Sequence, residues 1–253
     1  MKKLNKIIVL KIGSKAVTKD GYINKPLLLN VSRDIKLVKA RGYEVVVVSS
    51  GAVTCGRTLY QSVSKKVLSD QCLAMIGQPL LMQHWTWALE HHGQIVGQAL
   101  FTNSALKSEL RRRSVLMGIN DCLLAGIVPI VNENDAVITD ELKEIGTEGD
   151  NDQVSANLAI GLEAEMLVFL TTVPYVEDPV TGTAIKIIEA SNDTLEKTLS
   201  RRQGDSSGGM ASKIKYGRKF AMTGGEAIIK HFSCNLPMSR IMSGLYEGTV
   251  IKR

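Results

Sequence analysis

Short apolar runs recur along the chain, and their pattern predicts most of its elements. Ile7-Ile8-Val9-Leu10 and the stretches 44–48, 127–131 and 166–170 are hydrophobic with almost no polar alternation, the mark of strands buried on both faces. The stretches 94–102, 185–188, 226–232 and 249–251 read as further strands. Between them the period lengthens. Residues 27–40, 70–92, 109–124, 153–162 and 210–221 place apolar side chains at helical spacing, and Gly42 ends the first of these helices. The longest carries Leu73, Met75, Ile76, Leu80, Leu81, Trp85 and Leu89 on a broad face suited to a core or a subunit interface. Alternation of strand and helix predicts an α/β fold, a three-layer αβα sandwich around a mostly parallel sheet, with ligands at the C-terminal ends of the strands. Residues 136–146 read as a polar hairpin over that edge, and 174–183 as a loop or small hairpin.

The polar residues collect where those strands end. The first strand delivers Lys11-Ile12-Gly13-Ser14, the second Ser49-Ser50-Gly51-Ala52, and the run at 127–131 delivers Asn132-Glu133-Asn134-Asp135. A second acidic cluster, Gly149-Asp150-Asn151-Asp152, opens the helix at 153–162, and a glycine-bearing segment ends in Gly208-Gly209-Met210-Ala211-Ser212-Lys213. Glycine lets a backbone approach a ligand, and exposed N–H groups at a helix start suit phosphate or carboxylate. Lysine adds positive charge. Taken singly, each cluster is equally well explained as a turn or a helix cap, with Asp150 or Asn151 as the capping residue. Their convergence on one sheet edge favours a ligand site. The first turn lacks the glycine spacing of a Walker A loop.

Composition narrows the classes. The 253 residues, 44% hydrophobic and 22% charged, suit one large domain with a substantial core. The basic N-terminus leads into a strand rather than a signal peptide, and no apolar run approaches the length of a membrane span. Cys55, Cys72, Cys122 and Cys234 stand singly, as expected of reduced thiols in the cytoplasm. The net charge of +6 and pI near 9.1 raise nucleic acid as a partner. The arginine clusters Arg111-Arg112-Arg113 and Arg201-Arg202 lack neighbouring aromatic residues, however, so small anions fit the balance better. His84, His91 and His92 have no matching metal-ligand set.

The five clusters, in this order, resemble those of the amino acid kinase family, and within it the members that phosphorylate the side-chain carboxylate of glutamate at the start of proline synthesis. The resemblance implies a catalytic set of Lys11, Asp152 and Lys213, in which Asp152 orients the two lysines around the transferring phosphoryl group. It further implies that Ser50, Gly51, Asp135 and Asn151 hold L-glutamate, and that Gly13, Ser14, Thr171, Thr172, Gly208, Gly209 and Met210, with both lysines, seat ATP. Mg²⁺ would arrive bridging the nucleotide phosphates, without a dedicated protein cage. A carboxylate acceptor is already ionised, so no general base is needed. The implied division is an acceptor side over 1–168 and a nucleotide side over 169–253. A homodimer or tetramer, feedback inhibition by proline, and no nucleic-acid or membrane partner complete the implied picture. Two departures stand out: Thr172-Val173-Pro174-Tyr175 replaces the usual Thr-Asp and downstream glycine, and the RNA-binding-like C-terminal module of many bacterial members is expected to be missing. The rival readings are another acceptor within the family (acetylglutamate, aspartate, carbamate or uridylate) and a noncatalytic module that binds an anion or nucleic acid.

Overall fold

The apolar runs form the centre of an eight-stranded sheet in a computed structural model that describes residues 6–138, 150–203 and 209–253. The strands are β1 (Lys6–Ile12), β4 (Tyr43–Ser49), β5 (Val96–Phe101), β6 (Val128–Glu133), β7 (Met166–Thr171), β10 (Ile187–Glu189), β11 (Glu226–His231) and β12 (Thr249–Lys252). They lie in the order β10-β12-β11-β7-β1-β4-β6-β5. The six from β11 to β5 run parallel, while β12 pairs antiparallel with β11 and parallel with β10. Two small hairpins lie outside the sheet, β2 (Thr18–Lys19) with β3 (Tyr22–Ile23) and β8 (Val176–Glu177) with β9 (Ala184–Ile185).

Side-chain alternation along each strand divides the core in two. Ile8, Leu10 and Ile12 of β1 join Val45 and Val47 of β4 against α2 (Lys25–Lys39), α4 (Asp70–Glu90) and α10 (Pro237–Met242). Ile7 and Val9, with Val46 and Val48, face α6 (Glu109–Leu124), α7 (Asn151–Gly161) and α9 (Met210–Ala221). The remaining helices are α1 (Ser14–Val17), α3 (Ala52–Gln61), α5 (Asn103–Lys107) and α8 (Thr194–Gln203). The three layers expected from the pattern are therefore present.

Some boundaries differ from expectation. Helix α7 begins at Asn151 rather than 153, because the Asp150 side chain accepts from the Asp152 N–H at 2.8 Å and so caps the first turn there. The stretch 185–188 splits, Ile185 closing the β8–β9 hairpin and Ile187 and Ile188 opening β10, with Lys186 between them. The short α1, α5 and α10 and the polar α8 were not expected, since a few turns of chain or a mostly charged sequence give little periodicity. The predicted hairpin at 136–146 opens as a 3₁₀ turn, Asp135–Val137, and its portion from 139 onward lies outside the described residues.

Two contacts lock neighbouring helices together. Buried Asp34 of α2 accepts from the backbone N–H groups of Met238 at 2.6 Å and Ser239 at 3.0 Å, capping α10 from across the layer. Helices α3 and α4 touch backbone to backbone: a Cβ on Gly77 would lie 1.9 Å from the Ala52 carbonyl oxygen, and one on Gly56 would lie 1.9 Å from the Leu73 carbonyl oxygen. Ala52 is the first residue of α3, directly after Gly51, whose φ of 119° only glycine adopts without strain. The crossing thus pins the turn that carries Ser50. Gly77→Ala is expected to lower stability by about 2–3 kcal/mol, measured by denaturant unfolding. Gly118→Ala, in α6 with nothing within 4 Å of the added carbon, should be neutral or stabilising.

Candidate active site

The alternation of β1 aims Lys11 into the layer of α7 and α9. There its Nζ lies 2.7 Å from Asp152 Oδ1. Asp152 occupies the first turn of α7, where the helix dipole favours a negative charge, and is fully buried. Its other oxygen, Oδ2, lies 3.1 Å from Nζ of Lys213, which stands in the first turn of α9 and also donates to the Gly209 carbonyl at 3.4 Å. One carboxylate thus joins a strand from the beginning of the chain to a helix near its end. Asp150 makes a parallel tie, since its second oxygen accepts from Ser212 Oγ of α9 at 2.7 Å.

Burial opposes the charge of Asp152, yet the two ammonium groups overcome it and hold its carboxyl below the ordinary carboxylate range. Lys213 moves the other way. Burial pushes its ammonium below the usual lysine value, Asp152 counters in part, and the positive charge of Lys11 adds to the lowering. Burial sets the direction at Lys213, the two ammonium groups set it at Asp152, and Asp150 is near enough to act electrostatically on both lysines as well. Burial, followed by repulsion from Asp152, raises the carboxyl of Asp150.

Both lysines open onto a cavity of about 740 Å³ at the C-terminal ends of the parallel strands. Ser50, Gly51, Asp135 and Asn151 line it, as do Gly13, Ser14, Thr171, Thr172, Gly209 and Met210. The sequence-predicted residues are thus brought to one place, with two exceptions. Asp152 lies beneath the lysines and not on the cavity wall, and Gly208 falls outside the described residues. Sequence reasoning missed Lys15, Val53 and Thr54, which also line the cavity, and the role of Ser212 as partner of Asp150. Lys15 had a visible signal, its place in the first polar turn. The departing loop 172–175 leads to β8 with Val173 on the cavity wall.

The Amino acid kinase family model matches residues 6–231. The chain belongs to that family. Curated relatives include a glutamate 5-kinase of Deinococcus radiodurans, 33% identical over 96% of this chain and 68% of its own length. A glutamate 5-kinase of Clostridium acetobutylicum is 31% identical over 96% of this chain and 93% of its own. Among solved structures, a carbamate kinase from Giardia lamblia bound to AMP-PNP superposes with a TM-score of 0.67 over 98% of each chain, at 14% identity. That likeness is one of fold. This amino acid kinase is an ATP-dependent phosphotransferase acting on a carboxyl group.

The lowered Lys213 pKa sets a pH limit. Loss of its proton removes positive charge from the site, so the alkaline limb of kcat/KM should fall below the ordinary lysine value of 10.5. Once phosphate is bound the charge is favoured again, so the limb of the kcat profile should lie at higher pH. Coincident limbs at or above the ordinary value would contradict the electrostatics described.

Proposed function

We propose that this kinase transfers the γ-phosphate of ATP to the side-chain carboxylate of L-glutamate, giving L-glutamyl 5-phosphate. The observation that carries the reading is the Asp152-bridged pair Lys11 and Lys213, opening on the same cavity as Ser50, Asp135 and Asn151. The two relatives described above, about a third identical over 96% of this chain, are named glutamate 5-kinases.

The chemistry asks for alignment and charge, not for a protein nucleophile. Phosphoryl transfer spreads negative charge over three equatorial oxygens, with the attacking and leaving oxygens nearly in line. Lys11 and Lys213 meet that charge from two directions, while Asp152 acts as a positioning residue that keeps both ammonium groups fixed before ATP arrives. The Ser50 hydroxyl and the backbone N–H groups of Gly51 and Asn151 hold the acceptor as donors, and Asp135 receives its ammonium group. Gly13, Ser14, Thr171, Thr172, Gly208, Gly209 and Met210 seat the nucleotide. The attacking carboxylate oxygen is ionised at neutral pH, so no proton is removed in the step. Magnesium would enter on the nucleotide's phosphates, where it offsets their charge, and the carboxylate of Asp150 on the cavity wall offers it a hard oxygen donor.

The residues that hold the acceptor lie within 1–168, and those that seat the nucleotide lie within 169–253 apart from Lys11, Gly13 and Ser14 of the first turn, all in one domain. As the first step of proline synthesis, the reaction would be inhibited by proline competing for the glutamate pocket. The enzyme would act as a homo-oligomer in the cytoplasm. The free state of all four cysteines fits that compartment, and among the described residues no helix is long and apolar enough to cross a membrane.

Trapping of an acyl phosphate with hydroxylamine tests the reaction, with ATP, magnesium and glutamate, acetylglutamate or aspartate offered in parallel. Signal with glutamate alone is expected, and signal with another acid moves the substrate. Lys213→Ala should lower turnover by about 10²-fold or more with the fold intact by circular dichroism. Asp152→Ala should lower turnover as well, and stability by about 3 kcal/mol, because it leaves two buried ammonium groups facing each other.

A further inference from the structure

Beneath Ser50 and Asn151 runs a chain of buried carboxamides that the proposed reaction does not touch. Asn151 Oδ1 accepts a hydrogen bond from the backbone N–H of Glu133 at 3.2 Å. A backbone N–H can only donate, so this contact fixes which end of the Asn151 amide faces which way. Its Nδ2 is turned to the other side, where it donates to Ser50 Oγ at 3.0 Å and to Asn132 Oδ1 at 2.9 Å. Asn132 must then present its own Nδ2 beyond, where it donates to Gln78 Oε1 at 2.9 Å. The polarity of each amide is dictated by its neighbour, and Gln78 ends the run as the last acceptor.

Asn132 is 1% exposed and Gln78 9%, so water has little access to replace either partner. Gln78 Nε2 is buried with no partner among the described residues, a cost that an apolar residue of this size would avoid. What the side chain supplies is its oxygen. At the far end, Ser50 Oγ accepts from Asn151, which leaves the hydroxyl hydrogen of Ser50 to point into the cavity that Ser50 lines.

We infer that Gln78 is a positioning residue for the acceptor acid: through Asn132 and Asn151 it holds the Ser50 hydroxyl as a donor aimed at an anionic oxygen of the bound substrate. Gln78 itself sits on α4, outside the cavity that holds the lysines. The inference rests on the glutamate reading above for the identity of the acid, though not for the hydrogen-bond polarity.

Two measurements test it. In steady-state kinetics, Gln78→Met should raise the KM for glutamate about tenfold while leaving the KM for ATP within twofold. Gln78→Glu keeps an accepting oxygen toward Asn132 and should restore the glutamate KM to within about threefold of the parent. In a Ser50→Ala background the Gln78→Met substitution should have little further effect on that KM. A purely structural role would move both KM values, or neither, and would not distinguish Met from Glu. By NMR, the side-chain amide protons of Asn132 and Asn151 should exchange slowly in the parent enzyme, and those of Asn132 faster in Gln78→Met. Rapid exchange of both in the parent overturns the relay whatever the acceptor acid. If glutamate gives no acyl phosphate but another acid does, the kinetic comparison is made with that acid. Slow exchange together with an unchanged acceptor KM in Gln78→Met also overturns the proposed role.

Discussion

One fully buried carboxylate, Asp152, holds two lysines that arrive from opposite ends of the chain. Charges placed in a poorly hydrated interior are tolerated only when they are paired and bonded, and here Asp152 pairs with both ammonium groups while Asp150 acts on them from the cavity wall. Both ammonium groups are thereby held in fixed positions on the cavity wall. Removal of Asp152 would disturb the fold and the chemistry together, since the same bonds fix β1, α7 and α9.

The surrounding architecture serves that arrangement by rigid attachment. Parallel strands β1, β4, β6 and β7 end at one edge, so their following turns face a shared space. Asp150 repeats the tie between α7 and α9 on the surface side of Asp152, capping one helix and bonding the first turn of the other. The turn at Ser50 is held from below twice. Trp85 Nε1 donates to Ser49 Oγ at 2.9 Å, and the Gly56–Gly77 crossing leaves α3 no room to slide on α4. Small residues at that crossing matter because backbone atoms, unlike side-chain tips, cannot move aside. The carboxamide run from Gln78 to Ser50 adds direction to this rigidity, turning a backbone N–H of β6 into the orientation of a hydroxyl at the cavity.

The sequence by itself determined the layers and the edge. Unbroken apolar runs such as 7–10 and 45–48 can be satisfied only by burial on both faces, which requires helices on each side and sends the polar clusters to the strand ends. The cluster types also pointed to an anion site, because glycine, lysine and helix-start residues carry their chemistry locally. In the cluster at 150–152, Asp150 caps α7, while Asn151 bonds Ser50 on the cavity wall and Asp152 reaches the lysines. What the tertiary structure alone decided is which charges meet. Lys11 and Lys213 are far apart along the chain, and nothing in their local sequence distinguishes them from solvated lysines such as Lys15 until the packing of α9 on α7 brings both to Asp152. Gln78, too, sits in a helix whose local pattern is apolar, and its partner Asn132 is reached only because α4 packs beneath the end of β6. Hydrogen-bond polarity and buried ion pairing depend on distances between elements, and a one-dimensional pattern of residues carries the elements but not those distances.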